Sequence, residues 1–164
     1  MASYAIRCAG ESDVAVICDH RRRMFDDLGR PMDTAAIVAF ETWLADALTS
    51  GLYHGWLAQT PDGEVAGGAG LTVLPWPPGP HDPTGRLAFV YNVFTYPNHR
   101  RLGLARMLMT AIHDWCRQER IRTVRLHASP EGRPLYESLG YLTTNEMMLA
   151  LDGGSSPASK SQSR

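Results

Sequence analysis

The chain has 164 residues, a formal net charge of −1 at pH 7 and charged side chains at 20% of its positions. This length suits one domain with a sizeable core and is short for two. The near balance of charge argues against a general nucleic-acid binder, which carries a basic excess, and gives no reason to expect an anionic membrane surface as partner.

The first fifty residues predict a short strand followed by two helices. Residues 4–8 alternate briefly between apolar and polar, as strands do. Apolar residues recur at helical spacing over 14–28, with Ser12 placed as an N-cap and Arg21 on the same apolar stripe. A second helix is predicted from Asp33, which caps it, to a stop near Gly51.

A hairpin follows the two helices. Residues 53–59 and 64–73 are typical of strands, and the turn sequence Pro61-Asp62-Gly63 joins them. Three glycines weaken the second strand and predict the close approach of another chain segment or a ligand. These glycines are Gly67, Gly68 and Gly70.

The second half predicts a strand–helix–strand unit and a closing region. Residues 74–83 contain five prolines and are expected to form a loop, whereas 87–95 is the strongest strand pattern in the chain. A helix with an apolar face from Leu104 to Trp115 comes next, then a strand over 123–128 and a short helix ending at Leu139. Residues 141–151 are predicted to form one or two closing strands, and the polar tail 152–164 is predicted to be disordered.

Other features restrict the class of protein. No apolar run approaches the roughly 20 residues of a membrane span, and the first residues lack the apolar core of a signal peptide. Three cysteines (Cys8, Cys18 and Cys116) are widely spaced and show no metal-ligand spacing. We therefore expect a cytoplasmic protein with reduced thiols and no bound metal.

The segment between the strong strand and its following helix is typical of an anion site. Gly103 falls in the first turn of that helix, where backbone N–H groups have no intrahelical acceptor. Gly103 and the small Ala105 allow close approach to the backbone, and Arg100 and Arg101 add cationic donors. The alternative is a solvated helix cap with no ligand.

Two motifs resemble the GNAT superfamily of N-acetyltransferases. The segment Arg100-Arg101-Leu102-Gly103-Leu104-Ala105 resembles its Arg/Gln-x-x-Gly-x-Gly/Ala signature, and Pro97 precedes it as in the family's V-x-P element. Downstream, Leu135-Tyr136-Glu137-Ser138-Leu139-Gly140-Tyr141 resembles its LYEKLGF segment. The motifs stand in the family's order and at its spacing. Residues 86–150 match well, and the amino-terminal half matches in its order of elements.

The resemblance implies a fold and an activity. The fold is a single α/β (α+β) domain over 1–151, with a mixed, mostly antiparallel sheet that splays at the acyl-CoA site and about four flanking helices. The activity is transfer of an acetyl group from acetyl-coenzyme A to a primary amine of a small molecule or peptide, by direct attack in a ternary complex and without a metal. The alternative is a non-catalytic module that senses acyl-coenzyme A. Dimers are common among relatives, so a homodimer remains open.

The resemblance also assigns the cofactor contacts. In this family the pantetheine arm pairs with the splayed strand like an added strand, here through the backbone of Val93, Phe94 and Thr95. An N–H near Thr95 would stabilise the oxyanion of the acyl transfer. The pyrophosphate would meet the N–H groups of residues 100–105. Ser129 and Arg133 are further candidates, with helix capping and surface exposure as their respective alternatives.

The resemblance assigns a proton donor but leaves the general base open. Tyr136 matches the tyrosine that protonates the departing thiolate in relatives, its alternative being simple packing. Many relatives carry a glutamate base on the strand before the signature, but residues 87–95 contain no acid, and Asn92 is their only amide. Asn92 or Tyr91 could order a water chain that deprotonates the amine. Other candidate bases are His81, Asp82 and His127.

The acceptor is expected between the first two helices and the loops over the splayed strands. Phe25, Trp76 and Tyr53 could form an apolar wall, and Asp26, with Asp27, could attract a cationic amine. The alternative is a solvated helix end with Phe25 in the core. If Arg21 points into the cleft, an acceptor with a carboxylate becomes plausible.

Overall fold

The computed structural model describes residues 3–151, so the predicted tail 152–164 lies outside the described part of the chain. These residues form two compact units, 3–127 and 128–151. In the described chain the first unit holds five strands and three α-helices, and the second holds one short helix. Together with the mixed sheet described below, these elements confirm the predicted α/β fold class.

Helix α1 (Val14–Asp27) follows strand β1 (Ala5–Cys8) through a 3-10 turn. The turn is closed by Asp13, whose Oδ2 accepts the Gly10 N–H at 2.8 Å and pairs with Arg7. The prediction of Ser12 as the cap was therefore wrong. The Asp13 carboxylate closes the turn instead, because it bonds a backbone amide and a guanidinium at the same time.

Helix α2 (Thr34–Ser50) begins and ends as its sequence predicts. The Asp33 side chain accepts the Ala36 N–H at 2.8 Å, which satisfies one of the amides left without an intrahelical partner. Gly51 then takes a left-handed backbone, φ 73°, and ends the helix.

The sheet has the order β1-β2-β3-β4-β5. Strands β2 (Tyr53–Gln59), β3 (Val65–Pro75) and β4 (Arg86–Thr95) continue the antiparallel pairing that begins at β1. Strand β5 (Val124–Leu126) pairs parallel to β4, and the crossover between them is helix α3 (Leu104–Gln118). This strand–helix–strand unit places the end of β4 and the beginning of α3 side by side.

Helices cover both faces of the sheet. On one face α1 and α2 pack against β2 through Ile17, Leu44 and Leu57. Trp56, whose side chain points to the opposite face because it neighbours Leu57 in the strand, contacts Trp115 of α3 at 5.8 Å between ring centroids. Five side chains of α3 are buried: Leu104, Leu108, Met109, Ile112 and Cys116.

Neighbouring groups of the same unit occupy the space above the β3 glycines. This is the close approach that the sequence predicts. A Cβ at Gly70 would overlap the phenol of Tyr53, and one at Gly68 would lie 2.8 Å from Leu57 and 3.0 Å from His20. Gly67 packs against the backbone carbonyl of Phe94. Glycine is required here because side chains from β2 and α1 occupy the space above the strand.

We expect Gly70→Ala to lower the free energy of unfolding by about 1–3 kcal/mol, because the added methyl displaces the buried Tyr53 ring. Gly79→Ala is the matched control, since a Cβ there meets nothing within 4 Å; its effect should stay within about 0.5 kcal/mol. Urea denaturation of both variants measures the difference. Equal stabilities would show that Tyr53 moves aside at no cost.

His20 is a buried histidine on α1, 1% exposed, between the rings of Phe94 and Tyr96. Its burial lowers the pKa of the imidazole to about 4, with Asp19 opposing and Arg23 reinforcing the shift. The native state therefore holds His20 neutral over a pH range in which the unfolded chain protonates it.

This difference predicts an acid-dependent loss of stability. Between the ordinary pKa of 6.5 and about 4 the unfolded state binds one more proton, so stability falls as pH falls through that window, by up to about 3 kcal/mol. His20→Phe keeps an aromatic ring at this position and removes the group that titrates. Denaturation at pH 4.5 and 6.5 should show a smaller pH dependence for the variant, and an unchanged dependence would contradict the assignment.

In the second unit, helix α4 (Arg133–Ser138) is formed as predicted, but the closing strands are not. Residues 141–151 contain no strand, so that prediction was wrong. Leu142 is 87% exposed and Met147 94% exposed. A strand needs a hydrogen-bonded neighbour, which the alternation of apolar and polar residues does not itself supply.

Candidate active site

The end of β4 carries a β-bulge. Tyr91 pairs with Gly70 and Phe94 pairs with Gly68, so two residues of β4, Asn92 and Val93, lie opposite one residue of β3. Asn92 has φ 57°, a left-handed conformation that asparagine adopts more readily than most residues. The bulge agrees with what the GNAT resemblance implies for this strand.

Beyond the bulge β4 and β5 separate. Strand β5 pairs only with Ala88–Val90 among the described strands. Tyr96 N–H donates to Ala66 of β3, and backbone groups alternate between the two edges of a strand. The backbone of Val93 and Thr95 therefore turns toward the edge that β5 has left. The Thr95 carbonyl accepts Arg100 Nε at 3.0 Å.

The turn into α3 presents backbone amides with no capping side chain. Arg101 has φ 61° and Gly103 has φ 84°, while Leu102 between them does not have positive φ. Such alternation directs successive N–H groups toward one point, as in anion-binding nests. Gly103 is the N-cap and donates no side chain, and Met107 N–H is the first to reach its carbonyl. A Cβ on Gly103 would meet nothing within 4 Å, so space lies open above the amides.

Three of the five signature side chains face solvent. Arg100, Arg101 and Leu102 are exposed, whereas Leu104 is buried in the core and can contribute only its backbone. Arg100 Nη2 pairs with Asp27 of α1 at 2.6 Å. The predicted cationic donor is thus held at the turn by the end of α1.

A polar pair lies beside the bulge. Arg21 Nη1 donates to Asn92 Oδ1 at 2.7 Å, so the arginine predicted on the apolar stripe of α1 points at the candidate site. Asn92 is 2% exposed, and its Nδ2 and the Nε of Arg21 are buried without hydrogen-bond partners. Burial lowers the pKa of the Arg21 guanidinium.

Aromatic rings surround this pair. The guanidinium carbon of Arg21 lies 4.4 Å from the ring centroid of Phe40 and 5.1 Å from that of Phe25. Trp43 and Tyr53 lie 6.3 and 5.7 Å from the ring of Tyr91. Burial raises the pKa of both tyrosines, because a phenolate is poorly solvated there. These aromatic side chains form a wall that combines α1, α2, β2 and β4.

The predicted acceptor residues are only partly brought together. Phe25 contacts Arg21, as above, but Asp26 is exposed and pairs with Arg22 on the same helix at 3.0 Å. Trp76 is 46% exposed, with Arg125 stacked 4.7 Å from its ring. Trp76 follows the end of β3, where Pro75 pairs with Arg86, about 16 Å along β4 from Tyr91. The structure therefore separates Trp76 from the Arg21 cluster.

Other candidate bases have separate positions. Asp82 accepts from Thr84 and Thr123, and these hydrogen bonds lower the pKa of its carboxyl, which makes it a weaker base. His127 is exposed and contacts Phe89 at 5.1 Å between ring centroids. His81 is exposed in the proline-rich loop. None of these three side chains is hydrogen-bonded to Asn92 or Arg21.

The second unit holds three predicted site residues. Tyr136 is buried, which raises the pKa of its phenol, and its ring lies 5.8 Å from that of Tyr141. Ser129 Oγ accepts the Gly132 N–H at 3.1 Å and so closes the turn before α4, whose N-cap is Gly132 and not Ser129. Arg133 is exposed, and its Nη1 donates to Thr143 at 3.2 Å.

The described residues contain neither a cluster of metal ligands nor a membrane-spanning helix. Over 3–151, no three His, Cys, Asp or Glu side chains are close enough to ligate a metal ion. The helices in the same range are too short or too polar to span a bilayer.

Phe40 and Trp43 are the members of the aromatic wall that the sequence does not predict, whereas Phe25 and Tyr53 are among the residues predicted to line the acceptor site. The available signal was Asn92, the one amide in an otherwise apolar strand and a residue type that tolerates positive φ. Asn92 marked the bulge, and the bulge faces the residues that line the wall.

Comparison with known proteins identifies the family. The chain matches the Acetyltransferase (GNAT) family over residues 14–141, and it belongs to that family. A GCN5-related N-acetyltransferase from Ralstonia eutropha JMP134 is 31% identical, with 92% of this chain and 100% of that chain covered and a TM-score of 0.84.

More distant structures share the fold. A predicted acetyltransferase from Clostridium acetobutylicum, solved with acetyl-CoA, is 23% identical over 90% of this chain and 96% of that chain, with a TM-score of 0.83. A ribosomal-protein-alanine N-acetyltransferase from Brucella melitensis biovar Abortus 2308 is 20% identical over 91% and 98%, with a TM-score of 0.67. No curated protein sequence matches the chain.

Gly103→Ala tests the turn. The substitution forces a Cβ into left-handed backbone and fills the space above the amides, so we expect stability to fall by about 1–2 kcal/mol and coenzyme A affinity to fall at least about 10-fold. Gly63→Ala is matched, since Gly63 has φ 87° and a Cβ there also meets nothing within 4 Å. Calorimetric titration with coenzyme A should show unchanged affinity for the Gly63 variant. Equal affinities in both variants would remove the turn from the binding site.

Proposed function

We propose that this protein is an N-acetyltransferase that moves an acetyl group from acetyl-coenzyme A to a primary amine of a small molecule or peptide. The observation that carries the proposal is the junction of bulged β4 with the uncapped start of α3. One edge of strand backbone and one cluster of amides lie side by side there. This combination suits a ligand with an amide-containing arm and a diphosphate.

The donor would be held by backbone groups. Val93 and Thr95 would pair with the arm, whereas the predicted backbone pairing of Phe94 is ruled out because Phe94 already pairs with Gly68 of β3. The amides of 100–105 would receive the pyrophosphate, assisted by the guanidinium groups of Arg100 and Arg101. The open space at Gly103 fits phosphate oxygens. Such a site needs no metal, because the amides and arginines offset the charge.

The reaction exchanges one bond for another. A carbon–nitrogen bond forms as the carbon–sulfur bond breaks, the amine loses a proton, and the departing sulfur gains one. Tyr136 would supply the proton to sulfur, and its raised pKa keeps the phenol protonated at neutral pH. A backbone N–H near Thr95 would stabilise the negative charge that develops on the carbonyl oxygen.

Removal of the amine proton would rely on water rather than on a carboxylate. Asn92 Oδ1 is engaged by Arg21, so Asn92 would orient groups near the amine instead of accepting its proton. A nearby cation disfavours the protonated amine, because like charges repel. Names of structural relatives agree with an amine acceptor, since they include ribosomal-protein-alanine and glucosamine-6-phosphate N-acetyltransferases.

Tyr136→Phe tests the proton donor. We expect kcat for thiol release from acetyl-coenzyme A to fall by about 100-fold, the usual contribution of a positioned acid, with coenzyme A affinity unchanged. Tyr141→Phe, which removes the hydroxyl of the adjacent ring, should retain activity. Because the pKa of Tyr136 is raised, wild-type kcat should show no alkaline loss due to this group up to about pH 10.

The same assay separates an enzyme from a sensor. Coenzyme A binding with no thiol release for any amine, and no effect of Tyr136→Phe on any property but stability, would favour the non-catalytic acyl-coenzyme A sensor.

A further inference from the structure

Arg21 is a cation without a counter-charge. It is largely removed from solvent, and within residues 3–151 no carboxylate pairs with it. The next two arginines of α1 differ, because Arg22 pairs with Asp19 and Asp26 and Arg23 pairs with Asp19. A buried charge is costly unless it is paired. The neutral Asn92 amide and two ring faces offset only part of that cost.

The guanidinium also has donors to spare. Nη1 bonds Asn92, and Nε is buried without a partner. Nη2 bonds no described residue and is accessible to solvent. Burial raises the pKa of the Tyr53 phenol, and the side chain of Asn92 nearby opposes this in part, but Asn92 Nδ2 makes no hydrogen bond of ordinary geometry. Several N–H donors and no anion therefore meet at one place.

That place adjoins the predicted reaction centre. Asn92 is the bulge residue, directly followed by Val93–Thr95, the segment proposed to hold the thioester arm. A group bound by Arg21 would therefore lie next to the amine that attacks the thioester. This requires an acceptor whose anionic group is only a few bonds from its amine.

We propose that the acceptor is an amine bearing a carboxylate, such as an α-amino acid, with its carboxylate bound by Arg21 and its carbon skeleton against the wall of Phe25, Phe40 and Trp43. The proposal rests on the acetyl-transfer function proposed above. A carboxylate is favoured over a phosphate because one planar guanidinium matches it bidentately. A phosphate dianion would need a second cation, and within residues 3–151 no other arginine bonds Asn92 or stacks on the rings of Phe25 and Phe40.

Matched acceptors test the anion. Thiol release is measured for a set of α-amino acids, the carboxamide of each, the decarboxylated amine of each, and ethanolamine phosphate. The acids should exceed their carboxamides by about 10- to 100-fold in kcat/KM, the size of a charge-assisted hydrogen-bonded pair. Carboxamides that react as well as acids, or a phosphate that reacts better, would overturn the proposal.

Variants test the residue. Arg21→Met should reduce the acid-to-carboxamide ratio of kcat/KM by about the same factor, mainly through KM for the acids. Both acceptor classes lose the support that Arg21 gives Asn92, and only the acids also lose the ion pair. Arg21→Lys keeps the charge without the fork and should fall between, which also provides a folded variant if the methionine form is unstable. Arg22→Met is the control, because that exposed arginine already has two acids.

The pattern across substrates distinguishes recognition from scaffolding. An equal loss for acids and carboxamides in Arg21→Met would mean that Arg21 only positions Asn92, and the proposal would be wrong. If no amine at all is acetylated, acetyl transfer itself has failed. Calorimetry with N-acetyl amino acids and their amides, coenzyme A present, then decides: a carboxylate preference lost in Arg21→Met supports recognition, and no preference rejects it.

Discussion

The structure depends on one residue, Asn92, that breaks the regular pairing of β4. Its left-handed backbone inserts an extra residue opposite β3 and exchanges the edges toward which backbone groups point. Before Asn92, the backbone of Ala88 faces β5; after it, Val93 and Thr95 turn their backbone groups toward the gap, where the Thr95 carbonyl accepts Arg100 Nε. The hydrogen bond from Arg21 holds the side chain of Asn92 in place, so α1 supports the irregularity in the sheet.

Arg21 shows how a locally unfavourable group can be retained in a stable domain. A desolvated cation with one neutral acceptor costs free energy. A hydrophobic residue of similar volume could pack against the rings of Phe25 and Phe40 without this cost. The ring faces recover some of this cost through cation–π contact, about 0.5–2 kcal/mol. A bound anion would remove the rest of this free-energy cost, because a ligand can complete interactions that are incomplete in the free protein.

Much of the fold could be predicted from the sequence, because its signals are local. The side chain of Asp33 bonds an amide three residues away, and Gly51 and the Pro61-Asp62-Gly63 turn act through their own backbone; the structure has each where predicted. The Arg100–Ala105 turn was predictable for the same reason. The contribution of Trp43 to the aromatic wall was not, because Trp43 and Tyr91 are 48 positions apart in the sequence and meet only after folding. The prediction of closing strands was wrong because alternation within 141–151 carries no information about a pairing partner.

Arg100 is shared between two surfaces, and this couples them. Its guanidinium joins the carbonyl of Thr95 to the carboxylate of Asp27 at the end of α1, the helix that also carries Arg21. An anion that takes this guanidinium must compete with Asp27, an exposed pair worth about 0–1 kcal/mol. If the turn binds the donor as proposed, its occupancy would loosen the end of α1, and by thermodynamic reciprocity occupancy beside α1 would alter affinity at the turn. The affinity for each of the two proposed substrates would then depend on whether the other is bound.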